Sequence, residues 1–180
     1  IGNYAREKGV RIAFENLKYT ANLEFIMSLV PDAKFCWDCG HDSCYPHKLD
    51  FLKEFGHRLI MTHLNDNLGI SRFDGSTFWT DDLHLLPYDG ISDWDDNIRR
   101  LRQSRKLEIL NFELNIASKP NRHENDKYFK MPIEEYIAEC YIRACRFAND
   151  IKKEAVNHSF FLIYTSFLHL DLIVLLLLKQ

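Results

Sequence analysis

Four short apolar runs, each closing on groups that can bind a metal or move a proton, constrain this chain more than any other feature. Val10 to Phe14 is followed by Glu15 and Asn16, and Lys34 to Trp37 by Asp38 and His41. Leu59 to Thr62 leads to His63 and Asp66, and Leu107 to Phe112 leads to Glu113 and Asn115. The runs are β-favouring and alternate little, which predicts strands covered on both faces, as in a parallel sheet.

Helical patterns lie between the runs. Thr20 to Leu29 places Leu23, Phe25, Ile26 and Leu29 on one predicted face, and Pro31 stops it. His47 to Phe55 carries Leu49, Leu52 and Phe55 at helical spacing, and Trp94 to Leu101 brings Trp94, Ile98 and Leu101 together. Ile133 to Phe147 is the longest candidate, with Ile133, Tyr136, Ile137, Tyr141, Ala144 and Phe147 as its stripe. Strand and helix alternate, so the expected class is α/β. A long insertion, Leu68 to Gly90, follows the third run and is rich in Asp, Gly, Ser and aromatics, as functional loops are. In such folds ligands bind beyond the carboxyl ends of the strands, where all four polar termini fall.

Glu15, Asp38, His63 and Glu113 together offer three carboxylates and one imidazole. Hard oxygen donors with one nitrogen suit Mn²⁺, Mg²⁺ or Co²⁺, and Zn²⁺ also accepts them. The plainer reading makes each a solvated or helix-capping residue where the chain leaves its strand. For one residue the two readings weigh evenly. For four in succession on apolar runs the metal reading is preferred.

Composition bounds the rest. Apolar residues make up 46% and charged residues 27%, the balance of a folded globular chain. A formal net charge of -3 excludes a global basic field drawing the chain to nucleic acid. The chain opens on Ile1 with no signal-peptide pattern, so an internal start, in a fragment or truncated product, is expected. The five cysteines, an odd count, suggest reduced thiols and a cytoplasmic setting. "CWDCGHDSC" contains a C-x-x-C, but no second pair follows at zinc-ribbon spacing, so Cys36 is read as a small strand residue and Cys39 as a loop residue. From Ser159 to Leu178 the chain is strongly apolar and lacks Lys and Arg, approaching the ~20 residues of a membrane span. His169 and Asp171 argue against a span, since a central Asp costs about 2.5–3.5 kcal/mol. A frameshifted or read-through end is the first account of this tail, a membrane anchor the second, and packing over apolar surface left open elsewhere the third.

"AREKGVRIAFEN", "FCWDCGHD", "THLNDN", "DDLHLLPYDGISDW" and "LNFELN" resemble the second half of the xylose isomerase-like TIM barrel superfamily, and within it the sugar phosphate isomerase/epimerase group. The resemblance runs from Tyr4 to Phe147. It implies the C-terminal half of a (β/α)8 barrel, parallel strands five to eight with their helices, over residues 1–154, followed by the apolar tail, residues 155–180. It implies that Glu15, Asp38, His63 and Glu113 hold a divalent metal. It places His41 toward substrate or a second metal, with Asp82 and His84 as the family's Asp-x-His pair.

The implied reaction is isomerisation or epimerisation of a sugar by proton abstraction next to a carbonyl, with Glu15 and Glu113 as the catalytic pair. Arg72, in the insertion, is read first as a solvated loop arginine and second as an anion-binding group. An endonuclease IV-like, zinc-dependent nuclease acting at abasic DNA sites is the alternative, sharing His-Leu-Asn-Asp and Asp-x-His. It needs more imidazoles, and the charge balance and lack of a basic stripe stand against it. An inactive remnant is a third possibility. The expected partners are a small sugar and a second copy of the chain meeting at open sheet edges, with no nucleic acid and no membrane.

Overall fold

The computed structural model of the chain describes residues 1–45, 49–69, 78–104, 106–152 and 162–167, with residues 78 and 162–167 as backbone. Strands β1 (Ala13–Glu15), β2 (Lys34–Asp38), β3 (Leu59–Leu64), β4 (Ile109–Leu114) and β5 (Leu162–Phe167) form one sheet in chain order. Every neighbouring pair is parallel. Helices α1 (Gly2–Glu7), α2 (Thr20–Leu29), α3 (Cys39–Cys44), α4 (Phe51–Phe55), α5 (Phe78–Asp81), α6 (Trp94–Leu101), α7 (Asp126–Phe129) and α8 (Ile133–Lys152) alternate with the strands. This is the α/β organisation of a partial TIM barrel. The fifth strand comes from the apolar tail and pairs with β4, adding to the four strands expected. Its residues are β-favouring, and an open edge offers unpaired backbone groups. Residues 168–180 lie outside the described set, as do Arg72 and the first residues expected of the His47–Phe55 helix. Among the described residues no helix is long and apolar enough to cross a membrane.

The sheet curves. Arg11, just before β1, makes a two-pronged pair with Glu108, just before β4, at 2.7 and 2.7 Å, although β2 and β3 lie between their strands. Only a bent sheet brings those two ends within side-chain reach. The convex face is covered by helices: Ile60, Thr62, Leu64, Leu110, Phe112 and Leu114 are buried. Phe112 meets Phe147 of α8 edge-on at 5.9 Å, and Phe147 meets Trp94 of α6 at 5.5 Å. On the concave face Met61, His63, Ile109 and Glu113 are only partly covered. Cys36, Asp38 and Asn111 are buried on that same face, so the expectation of strands covered on both faces holds for β2 and only in part for β3 and β4.

Boundaries differ where capping overrides pattern. Val10 is exposed and precedes β1: its N–H bonds to the Ala5 carbonyl at 2.8 Å, ending α1 over Gly9, whose φ of 68° is left-handed. β3 and β4 run two residues further than expected, so His63 and Glu113 sit on strands rather than after them. Cys39 opens α3 rather than a loop, because Asp38 caps that helix by accepting the His41 N–H at 2.9 Å. In α2 the buried pair is Leu23 and Met27, while Phe25 and Leu29 are exposed. In α8 Cys140 takes the core position expected of Tyr141, and Ile133 is also exposed.

The insertion returns to the sheet at Asp66, which pairs with Leu85 through an antiparallel bridge. Fully buried, the Asp66 carboxylate accepts four hydrogen bonds: from the N–H groups of Asn67 (2.9 Å), Tyr88 (3.1 Å) and Ser92 (3.1 Å), and from Trp94 Nε1 (2.9 Å). Asp89 ties the same loop to α7 and α8, accepting from Tyr128 at 2.6 Å and pairing with Lys127 at 2.9 Å and Arg143 at 2.5 Å.

Burial raises the Asp89 carboxyl, but bonds from Lys127, Tyr128 and Arg143 outweigh it and hold the group below its ordinary range. A depressed acid contributes stability that is present above its unfolded pKa and lost as pH falls through the folded value. Asp89→Asn is expected to destabilise the chain by about 1–2 kcal/mol at neutral pH. It is also expected to flatten the acid limb of stability against pH, as followed by urea denaturation from pH 7 downward.

Candidate metal centre

Register assembles the first cluster. Glu15 pairs with Cys36, and Cys36 with Met61, so these three lie on one rung. Asp38 and His63 pair with each other two residues further on, and Glu113 lies two residues beyond Asn111, the partner of His63. Even steps keep a side chain on one face of a strand. All four groups thus point to the concave face, and the climb by twos is the stagger that tilted barrel strands need to bring groups to one height. An irregularity between Phe35 and Cys36 slips β2 by one residue against β3. Without it Asp38 would stand level with Thr62, whose side chain lies on the other face.

One ligand atom from each of Glu15, Asp38, His63 and Glu113 lies within 4.8 Å of all the others. His63 Nδ1 is 3.0 Å from Glu113 Oε2 and 3.4 Å from Glu15 Oε2. Buried Glu15 Oε1 and His63 Nδ1 have no hydrogen-bond partner among the described residues. Donors bound at ~2.0–2.2 Å around one ion sit somewhat closer together than this, so a small inward movement suffices. The donor set and its orphaned atoms fit a divalent cation.

A second cluster adjoins the first. His41, Asp82 and His84 are buried and also offer ligand atoms within 4.8 Å of one another. Asp82 Oδ2 is 2.9 Å from His84 Nε2 and 3.5 Å from His41 Nε2, and buried Asp82 Oδ1 has no hydrogen-bond partner among the described residues. His84 Nδ1 faces the Glu113 carbonyl oxygen at 2.9 Å and donates to it, leaving Nε2 for Asp82. His84 adopts a φ of 51°, a left-handed backbone that is uncommon outside glycine and concentrates at functional sites. His41 touches both clusters, with Nδ1 also 3.1 Å from Glu15 Oε1.

The charges are mutually dependent. Burial pushes the Asp38 carboxyl up to about 6 against the pull of His41 and His84. Burial also raises Glu15 and Glu113, but the attraction of the neighbouring imidazoles outweighs it and holds both below the usual carboxylate range. His84 shows the reverse: burial lowers it, and its bond to Asp82 lifts it to about 9. A cation among these carboxylates relieves the cost of burying Asp38 as an anion.

Several supporting residues were not singled out from sequence. Asn65 Nδ2 reaches both oxygens of Asp38, at 3.3 and 3.2 Å. Asn67 Nδ2 donates to Asn65 Oδ1 at 3.3 Å, and Asn67 Oδ1 accepts the Leu83 N–H beside Asp82. Asn125 Nδ2 bonds the Leu83 and Asn115 carbonyls at 3.0 and 2.7 Å. The polar run of "THLNDN" was the available signal for the first two: Asn65, Asp66 and Asn67 are fully buried. The cysteines of "CWDCGHDSC" are buried and free, and the Cys39 thiol donates to the Asn65 carbonyl at 3.1 Å.

Gly40 is the tightest point of the cluster. A Cβ there would lie 1.8 Å from Asn65 Oδ1 and 2.5 Å from Asn67 Nδ2. Gly40→Ala must therefore displace Asn65 from Asp38. Its expected effect is a loss of divalent-metal affinity of about tenfold or more, read by Mn²⁺ or Zn²⁺ titration.

A family model described as xylose isomerase-like TIM barrel matches residues 1–130. Searches of curated proteins and of solved structures return no match. The match covers most of the chain and spans every strand and ligand of both clusters from β1 to β4, so the chain belongs to the xylose isomerase-like TIM barrel family.

Proposed function

We propose that this chain carries the divalent-metal centre of an enzyme that isomerises or epimerises a sugar or sugar derivative. The observation that carries the reading is the approach of Glu15 and Glu113, from β1 and β4, to the same Nδ1 of His63, at 3.4 and 3.0 Å. Moving a proton between two carbons, or between two faces of one carbon, calls for two basic groups at a single position. Glu15, Asp38, His63 and Glu113 would hold a cation, which would supply positive charge beside the substrate oxygens and make the neighbouring C–H more acidic. Glu15 or Glu113 takes the proton on a carboxylate oxygen not committed to the cation, and the other returns one. Asp38, fully buried and held by Asn65, keeps its place and takes no part in proton transfer. His41 orients a substrate hydroxyl, and Asp82 with His84 bind further hydroxyls or a second cation.

The second cluster lends weight to one other reading. Two adjoining groups of potential ligands sharing His41 suit phosphodiester hydrolysis with several metal ions, as in an endonuclease IV-like enzyme. The net charge of -3 weighs against a polyanionic substrate.

Elemental analysis and solvent-deuterium exchange test the proposal. The chain loaded with Mn²⁺, Co²⁺ or Zn²⁺ is expected to incorporate deuterium into an aldose or ketose from a sugar panel. Glu15→Gln and Glu113→Gln are expected to lower that rate by about 10²–10⁴-fold. His63→Ala is expected to lose bound metal. Retention of full metal content by both Glu15→Gln and His63→Ala overturns the ligand assignment. Cleavage of abasic DNA with no deuterium incorporation favours the nuclease.

A further inference from the structure

Asn16 follows Glu15 at the point where β1 leaves the sheet, and it is fully buried. Its side chain does what a strand backbone would do. Oδ1 accepts the Asp38 N–H at 2.8 Å, and Nδ2 donates to the Asp38 carbonyl at 2.8 Å. The amide thus adds one more rung to the β1–β2 ladder after the main chain has turned away. Its orientation is settled by its partners, since the oxygen must face an N–H and the nitrogen a carbonyl. The main-chain carbonyl of the same residue faces His41 Nδ1 at 2.7 Å. A carbonyl only accepts, so Nδ1 carries a hydrogen, and Nε2 is the ring nitrogen turned toward Asp82, at 3.5 Å.

We propose that Asn16 is a positioning residue that couples the two ligand clusters, its side chain fixing Asp38 of one and its main-chain carbonyl fixing the ring of His41 in the other. The proposal rests on the metal-centre reading above for its purpose, but its geometry stands apart from any bound ion. Asn65 provides the contrast. It bonds the Asp38 carboxylate, and among the described residues it makes no hydrogen bond to the His41 ring; it reaches the second cluster only at a distance, through Asn67 and the Leu83 N–H. Asp38 and His41 are joined at a second point by the helix cap, Asp38 Oδ1 accepting the His41 N–H at 2.9 Å. Asn16 therefore closes a ring through β1, Asp38 and α3, and trimming its side chain opens that ring on the Asp38 side while the His41 acceptor remains present.

The test uses the whole chain, first without metal. In Asn16→Ala, amide exchange at Asp38 is expected to quicken at least tenfold, and the His41 Nδ1–H resonance is expected to shift or broaden. Asn65→Ala is expected to leave that resonance in place. Leu101→Ala, a core truncation in α6 away from the clusters, serves as the stability control and is expected to change neither signal. Zn²⁺ titration then reads both clusters: Asn16→Ala is expected to weaken each by about tenfold or more, and Asn65→Ala the first more than the second. An unchanged His41 resonance in Asn16→Ala overturns the coupling, as does an identical shift in Leu101→Ala. A parent chain that takes up no metal defeats the metal-centre reading, while the resonances still decide the role of Asn16.

Discussion

A single-residue slip between β2 and β3 is the constraint on which the candidate centre depends. Strand side chains alternate between faces, so a register error of one residue is an error of face rather than of height. The irregularity after Phe35 sets Asp38 level with His63 and turns both toward the concave side. The parallel stagger then adds Glu15 from below and Glu113 from above. No single element makes the cluster; agreement among three registers does.

Holding polar groups at a strand end without surrounding water is costly unless each finds a partner. The chain meets much of that requirement with short amides and one acid, and leaves Glu15 Oε1, His63 Nδ1 and Asp82 Oδ1 without partners among the described residues. Asn65 and Asn67 hand hydrogen bonds from Asp38 across to Leu83, next to Asp82. Asp66, immediately between them in sequence, faces the opposite task and gathers the returning insertion with four accepted bonds. "THLNDN" is therefore a divided segment. His63 and Asn65 serve the centre, Asp66 serves the loop, and Asn67 joins the two.

How much of this was legible in sequence depended on the kind of information needed. The strands with their terminal Glu15, Asp38, His63 and Glu113 could be read, because an apolar run interrupted by an ionisable group is a local pattern. Cys39 to Cys44 could not be read as a helix: six residues are too few for periodicity, and the cap that starts the helix is the same Asp38 already assigned to a metal. The α2 face was misjudged because Phe25 and Leu29 are apolar yet face outward, and no pattern within the helix reveals what lies beyond it. The roles of Asn65, Asn67 and Asn125 depend on contacts across long stretches of chain, which residue types alone do not disclose. The same holds for the slip in β2, which leaves no mark in composition.

The Arg11–Glu108 clasp gives the sheet the mechanics of a clothes-peg. The jaws, β1 and β4, are pinned together at their base by a double-pronged ionic contact in water. At their tips Glu15 and Glu113 approach each other across His63. The clasp at the base and the ligand groups at the mouth therefore sit on the same two strands, and the spacing of one sets the spacing of the other.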